Sequence, residues 1–449
     1  MKTRKVNSKD ILETMRFDGG YYNADINVYS DVIVKHSDHR LKYYCTEIFT
    51  SGRNRRVYTS SEYGVPFLSN SDVVAANPLL SCKYSSKKYG YDEKAVLKKG
   101  MILTGRVGAI GQTAFVSDSL EKLKAMGSDN IIRICVKPEY QNGFIYAYLA
   151  SRIGNLSFWK HATGGVQPFI TDAMVGELPI PKFPEDFQKE VDNLIQESAR
   201  LREESTEALE EAHRLIDSTF SVACEKKSSR VPITSIMSSH NKRFEAFYHT
   251  STNRSVYDYI TSNYEYKTLG NLTDHIFRPG IFKREYVSNG VTFLGGADIL
   301  MAIPDSDKKL SFRQVDKMPE LKVKKDWILV TCGGTIGNTV LIDRQLEKCV
   351  ISQHVMRIVP KDGILKGYLY AVLSSKIGKE LITMFTTGSV IPQIEAHHLE
   401  LVPIPLLEKD LMEQIDRLIS AYVSKLEISK EKETKAISMV EEEIEKWNN

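Results

Sequence analysis

Residues 143–154 read GFIYAYLASRIG and residues 367–378 read GYLYAVLSSKIG, identical at 7 of 12 positions. Working outward from this pair, further matches appear on both sides. Upstream, Arg16-Phe17-Asp18-Gly19-Gly20-Tyr21 returns as Arg243-Phe244-Glu245-Ala246-Phe247-Tyr248, and Gly64-Val65-Pro66-Phe67-Leu68 as Gly290-Val291-Thr292-Phe293-Leu294. Met101-Ile102-Leu103 leading to Ile110-Gly111-Gln112-Thr113 parallels Trp327-Ile328-Leu329 leading to Ile336-Gly337-Asn338-Thr339. Downstream, Thr163-Gly164-Gly165-Val166-Gln167-Pro168 matches Thr387-Gly388-Ser389-Val390-Ile391-Pro392, and both copies end on Pro-Ile-Pro, at 179–181 and 403–405. The offset drifts only from 227 to 224 along this length, so the chain is a tandem duplication.

Each copy runs into a long segment free of proline and glycine after Pro184 and Pro405 respectively. After Pro181, Phe187, Val191, Leu194, Ser198, Leu201, Ser205, Ala208, Ala212 and Leu215 step by fours and threes, the spacing of a coiled-coil seam. After Pro405 the stepping passes through Leu411, Ile415, Leu418 and Tyr422, and a neighbouring track through Val423, Leu426, Ile437, Val440, Ile444 and Trp447. The order domain–helix–domain–helix lets the two helices run antiparallel, and Ser198 and Ser205 on the seam call for polar contacts or a partner protein. A helix of about 35 residues spans roughly 50 Å at 1.5 Å per residue, more than one turn of DNA at about 34 Å. The expected fold is α/β: a recognition domain at 1–181, a spacer helix at 182–226, a second recognition domain at 227–405 and a second spacer helix at 406–449. Short apolar runs such as Val65–Leu68, Met101–Leu103 and Ile131–Val136 read as strands. Segments 143–154 and 367–378 read as helices closed by Gly154 and Gly378.

A length of 449 residues calls for more than one domain. The basic start Met1–Lys5 is followed by Val6–Asp10 rather than an apolar stretch, and a cytoplasmic location is expected. The six cysteines show neither a CxxC pair nor zinc-ligand spacing, so reduced structural thiols and no metal are expected. The net charge of +3 conceals a division. Residues 182–217 carry a net −6 and residues 406–449 a net −4, which leaves +13 on the rest, as suits a chain that meets phosphate backbones.

Polar and basic stretches that differ between the copies lie between the matched segments. Thr50–Tyr58 offers Arg53, Arg55, Arg56 and Tyr58, and its counterpart Arg278–Tyr286 offers Arg278, Lys283 and Arg284. Arginine suits phosphate and guanine because its fork donates two parallel hydrogen bonds. In the segments 163–170 and 387–394, Gln167, Ser389 and Gln393 could read base edges, with Lys160 and His161 holding phosphates. A turn entering the Pro-Ile-Pro strand explains those segments as well. His397 and His398 read as surface or core residues.

Catalytic motifs fail. The glycine clusters 104–111 and 332–337 lack both the Gly-Lys-Ser/Thr of a triphosphate loop and dinucleotide spacing, and their duplication points to a turn in the fold. No Asp/Asn-Pro-Pro-Tyr/Phe segment exists; Asn77-Pro78-Leu79-Leu80 is the nearest. Asp305 with Glu320-Leu321-Lys322 has nuclease-like spacing but sits in lysine-rich polar sequence.

Over nearly its whole length the chain resembles the specificity subunits of Type I restriction-modification systems. The resemblance rests on the duplicated Gly-x-Ile-Gly turns at 108–111 and 334–337, the Thr-Gly-x-Val-x-Pro segments, the Pro-Ile-Pro exits into long helices and the Arg-Phe-Asp/Glu segments at 16–18 and 243–245. It implies two target-recognition domains that each read half of a bipartite, asymmetric DNA site, with an antiparallel coiled coil fixing the gap. It also implies two methyltransferase subunits docked along the helices. These would bind S-adenosylmethionine and methylate adenine N6, joined in restriction complexes by translocase-nuclease subunits. This chain would carry no cofactor and no catalytic site. Two alternatives stay open: the same module in a Type IIB-like or other defence methylase complex, and a coiled-coil scaffold that binds protein.

Overall fold

The computed structural model describes residues 5–17, 19, 21–22, 24–53, 55–164, 166–220, 231–239, 242–244, 248–249, 252–388 and 392–447. The chain divides into two compact units, one made of residues 1–203 with 428–449 and the other of residues 204–427.

In the first unit, β1 (Cys45–Thr50), β5 (Ile102–Gly105), β6 (Thr113–Phe115) and β8 (Ile131–Val136) form an antiparallel sheet in the order β1-β8-β5-β6. A smaller sheet has the order β2-β4-β3-β7, built from β2 (Tyr58–Thr59), β3 (Gly64–Leu68), β4 (Lys83–Ser86) and β7 (Met126–Gly127), with β3 and β7 parallel. The second unit repeats the plan. Strands β9 (Thr273–Phe277), β12 (Ile328–Thr331), β13 (Thr339–Leu341) and β15 (Val355–Pro360) form a sheet in the order β9-β15-β12-β13. Strands β10 (Tyr286–Leu294), β11 (Lys309–Leu310) and β14 (Val350–Ile351) pair as β11-β10-β14, again with one parallel pair, β10 with β14. The expected strands are present, because uninterrupted apolar runs between turn residues can be buried on both faces. The Pro-Ile-Pro exits pair with His39–Arg40 in one copy and with Tyr266–Thr268 in the other.

One buried cation holds the two sheets of each copy together. Arg133 on β8 is 0% exposed, and its guanidinium donates to the carbonyls of Ser128 (3.4 Å), Ile131 (2.8 Å), Ala95 (3.1 Å) and Gly127 (2.6 Å). Arg357 on β15 repeats the arrangement with Ser352 (2.8 Å), Val355 (2.6 Å), Leu321 (3.4 Å) and Ile351. Burial lowers both guanidinium groups to about 10, so each stays charged at neutral pH. Carbonyls rather than carboxylates solvate these charges.

The duplicated GFIYAYLASRIG segment is not a single helix closed by glycine. Helix α1 (Asn142–Ala150) stops at Ser151, whose hydroxyl accepts from Gly154 N (3.0 Å) and starts α2 (Arg152–His161). Gly154 lies in the first turn of α2, where a Cβ would sit 2.1 Å from the Tyr148 carbonyl. Ser375 and Gly378 repeat this corner between α4 (Lys366–Ser374) and α5 (Lys376–Met384), with the Cβ 1.9 Å from the Val372 carbonyl. The glycine serves close packing at a corner, not a left-handed cap. The Gly-x-Ile-Gly segments are turns, with φ of +76° and +75° at Gly108 and Gly111 and of +78° and +87° at Gly334 and Gly337.

The long helices are α3 (Glu185–Thr219) and α6 (Lys409–Lys446). The start of each is pinned to its own copy: Asp192 accepts from Gly143 N (2.7 Å) and Asp416 from Gly367 N (2.7 Å), at the N-termini of α1 and α4. In the first unit, Ser198 and Ser429 exchange hydroxyl-to-carbonyl hydrogen bonds (2.9 and 2.8 Å), and Lys432 pairs with Glu197 (2.8 Å). Arg202 pairs with Glu433, which also accepts from the Tyr146 hydroxyl (2.5 Å). In the second unit, the Ser205 hydroxyl donates to the Tyr422 carbonyl (2.9 Å) and Lys425 pairs with Glu204 (2.9 Å). In each unit, one residue forward along α3 meets a partner three residues back along α6, an antiparallel sense. The polar contacts expected at Ser198 and Ser205 are therefore made. The inward positions differ in part from the seam read in the sequence: Ile195, Leu209 and Ile216 are buried where Leu194, Ala208 and Leu215 are half-buried, because Ile195 joins the core of the first copy and Leu209 and Ile216 join that of the second.

Candidate nucleic-acid interface

In the first copy, the basic segment leads into the edge strand of the small sheet. Arg53, Arg55 and Arg56 are exposed, and Asp129 draws in two of them, at 2.8 Å from Arg56 and 4.0 Å from Arg53. Tyr58 on β2 is 42% exposed, with the Lys83 ammonium 4.7 Å from its ring centre. Beyond β4, the Ser86 hydroxyl accepts from Lys88 N and Tyr89 N, and Gly90 N donates to the Ser86 carbonyl, closing a tight turn. This turn presents Lys87, Lys88 and Tyr89 to solvent, and Tyr63, 63% exposed, lies beside it through the bond from Lys87 N to its carbonyl. Lys83, Lys87, Lys88, Tyr63 and Tyr89 escape a reading of the sequence. The signal available was the alternation of lysine and tyrosine from Lys83 to Tyr91.

Strand register identifies the corresponding face of the second copy. Ser85 pairs with both Tyr58 and Val65, and Leu310 pairs with both Tyr286 and Val291, so Tyr286 is the counterpart of Tyr58. Each stands edge-on or tilted to the equivalent phenylalanine, Phe67 at 6.1 Å and Phe293 at 6.3 Å. Around Tyr286, 50% exposed, lie exposed Lys283, Lys308, Phe312 and Arg313. Arg278 and Arg284 are half-buried. Arg278 pairs with Glu395 (2.5 Å), while Arg284 donates to Gln353 (3.1 Å) over the rings of Phe282 and Phe293. These two arginines shape the face, whereas Lys283 is presented by it.

The Thr-Gly segments are loops closed by paired backbone hydrogen bonds, Thr163 with Phe169 (2.9 and 2.7 Å) and Thr387 with Gln393 (2.9 and 2.8 Å). Gln393 is thus the counterpart of Phe169, not of Gln167. Gln167 and Gln393 are both exposed, and Ser389 lies outside the described residues. Lys160 bonds the Ser30 hydroxyl and lies over the Tyr21 ring (5.2 Å). Burial first, then the cations Lys160, Arg40 and Arg16, hold the His161 imidazole below its usual range. This setting disfavours the charged form of His161.

Each copy joins its basic segment to its loop. In the first, Arg106 N donates to the Asn130 carbonyl and Ile170 N to the Arg106 carbonyl, so a few residues connect Asp129 to the loop. In the second, the Arg278–Glu395 pair and the Gly333–Gln393 bridge connect them directly. The remaining chemistry is sparse. Asp305 is exposed, Lys322 pairs with Asp316 (3.4 Å), and no metal-holding group of His, Cys, Asp or Glu occurs among the described residues. Burial pushes the Cys45 thiol up to about 12 and Cys82 up to about 11, which makes both poor nucleophiles; Cys224 lies outside the described residues. No helix among the described residues is long and apolar enough to cross a membrane.

Comparison with known proteins places residues 262–438 in the family described as Type I restriction modification DNA specificity domain. A curated relative, the Type I restriction enzyme MjaIX specificity subunit of Methanocaldococcus jannaschii, is 26% identical over 120 residues, 27% of each chain. The match thus spans about a quarter of that relative's length. Among solved structures, the S subunit of a Type-I restriction-modification system from M. genitalium aligns over 91% of this chain and 94% of its own, with 15% identity and a TM-score of 0.32. The HsdS subunit from Thermoanaerobacter tengcongensis aligns over 91% and 95%, with 16% identity and a TM-score of 0.28.

Proposed function

We propose that this chain, whose residues 262–438 match the Type I restriction modification DNA specificity domain, is a specificity subunit in which each of the two repeats reads one half of a bipartite duplex DNA site. The observation that carries this reading is the pair of equivalent faces centred on Tyr58 and Tyr286. Both mix exposed aromatic rings with lysine and arginine on a small sheet, yet their surrounding residues differ, as two different half-sites require. Arg53, Arg55, Lys87 and Lys88 in one copy, and Lys283, Lys308 and Arg313 in the other, supply the phosphate attraction. The loops holding Gln167 and Gln393 supply polar groups for base edges.

The helices α3 and α6 act as the spacer, an antiparallel coiled coil that sets the gap between half-sites. Two methyltransferase subunits dock along them, bring S-adenosylmethionine and carry out adenine N6 methylation, and translocase-nuclease subunits join where restriction follows. This chain supplies recognition and no catalytic group, and it works wherever the cell's DNA lies. The test is duplex binding as a function of salt. Removing a phosphate contact lowers the slope of log K against log salt by about 0.9, so replacing Lys87 and Lys88 with alanine should lower it by nearly twice that. Absence of duplex retention by the wild-type chain at low salt would overturn the reading.

A further inference from the structure

We propose that Phe17 and Phe244 are a duplicated pair of aromatic contacts to the bases of duplex DNA, one at the edge of each reading face. This rests on the DNA-reading role above and adds to it a site outside the basic segments and loops. Phe17 is 83% exposed and Phe244 70% exposed, so neither ring is used in folding. The backbone that carries each ring is nevertheless held in the same way in both copies. The residue two positions before each ring takes the left-handed conformation, φ +52° at Met15 and +48° at Lys242, which neither side chain favours. The Arg16 guanidinium donates to the Ala162 carbonyl (2.8 Å), and that of Arg243 to the Thr386 carbonyl (2.7 Å). Each arginine also lies over a tyrosine five residues on, Tyr21 at 4.8 Å and Tyr248 at 4.7 Å. The arginine carbonyls are in turn bound from six residues on, by the Tyr22 hydroxyl (3.1 Å) and by His249 Nε2 (2.6 Å).

A mount fixed at three points and built twice, which leaves its own ring in solvent, is suited to presenting that ring to a ligand. The placement identifies the ligand's chemistry. Ala162 and Thr386 immediately precede the closed Thr-Gly loops, so both rings stand at the loop that faces the bases in the reading above. Among the described residues the charges around them are mostly positive: Arg40 and Lys160 accompany Arg16, and Lys242 and Arg254 accompany Arg243, with Asp258 paired to Arg254; the acidic Asp18 and Glu245, next in sequence to the rings, lie outside the described residues. An aromatic ring among cations complements a polyanion with stacked π-faces, and a phenyl edge can wedge against a base step or lie on a base.

The test is fluorescence anisotropy of the full-length chain with a labelled mixed-sequence duplex, comparing wild type with Phe17→Ala, Phe244→Ala and Phe17→Trp. Each alanine variant should bind about tenfold more weakly at fixed salt, with the slope of log K against log salt unchanged because no counterion is released by a ring. Phe17→Trp should recover wild-type affinity. An alanine variant that binds duplex as wild type does, or a loss that tryptophan fails to recover, overturns this proposal while the DNA-reading role stands. A wild-type chain that binds no duplex overturns both. Equal thermal melting of the variants confirms that the exposed ring, not the fold, was removed.

Discussion

Replacing Arg357 with methionine should cost the second unit about 4 kcal/mol of stability, with the carbonyls it leaves behind as the cause. Arg357 fills four acceptors, of which Ser352 O also accepts from Val355 N at 3.3 Å. About three buried carbonyls then lose their main partner, at roughly 1–3 kcal/mol each, offset in part by burying an apolar side chain in place of a charge. Against a typical domain stability of about 5–15 kcal/mol, the substitution should bring that unit close to unfolding. Arg357→Lys should recover only part, because three N–H groups on a single nitrogen cannot reproduce a planar fork with acceptors on two sides. The assay is urea unfolding followed by circular dichroism, with Arg133→Met as the counterpart in the first unit. A change within the roughly 0.5 kcal/mol of an ordinary surface substitution would refute the argument.

Two further predictions concern the long helices. His213 bonds the Ser374 hydroxyl (2.8 Å), and burial lowers its imidazole to about 4. Below about pH 6.5 the unfolded chain takes up a proton that the native imidazole refuses, so stability is lost as pH falls toward 4, by about 3 kcal/mol in all. Burial raises the nearby carboxyls of Asp217 and Glu380, which opposes this trend, so the difference between wild type and His213→Gln across the pH range isolates the histidine. In the first unit, Glu433→Ala should destabilise by about 3 kcal/mol because it leaves Arg202 buried without its carboxylate, whereas the double change Arg202→Met with Glu433→Leu should lose less, its remaining cost being the Tyr146 hydroxyl left without its acceptor. Chemical denaturation of the three proteins decides it, and equal losses in the single and double variants would count against the buried-pair argument.

The duplication, the strands and the long helices were legible because they rest on periodicity and repetition, which survive in a bare sequence. The Gly154 and Gly378 corners were not. A glycine after an apolar helical run signals a cap, and only the approach of the Tyr148 and Val372 carbonyls reveals a helix–helix corner. Arg133 and Arg357 stand inside apolar strands, where a charge ordinarily argues for exposure, and their carbonyl acceptors come from segments distant in sequence. The reading face was half legible. Arg53 to Tyr58 drew notice by composition, but the Ser86–Gly90 turn that presents Lys87 and Lys88 has no periodic signature. Tyr58 and Tyr286 are separated by 228 positions, while Phe67 and Phe293 are separated by 226, so their equivalence emerges only from strand register. By contrast, the matched Thr-Gly segments already set Gln393 opposite Phe169 rather than Gln167, and the loop pairing agrees.

The central claim, that each repeat reads its own half-site, is tested most directly by mapping N6-methyladenine across a genome. The chain is co-expressed with its methyltransferase, then with residues 1–181 exchanged for those of a related chain. The account predicts a split methylated motif with a fixed gap, altered by the exchange in one half only. A motif altered in both halves, or no methylated motif from a complex that still assembles, would contradict it.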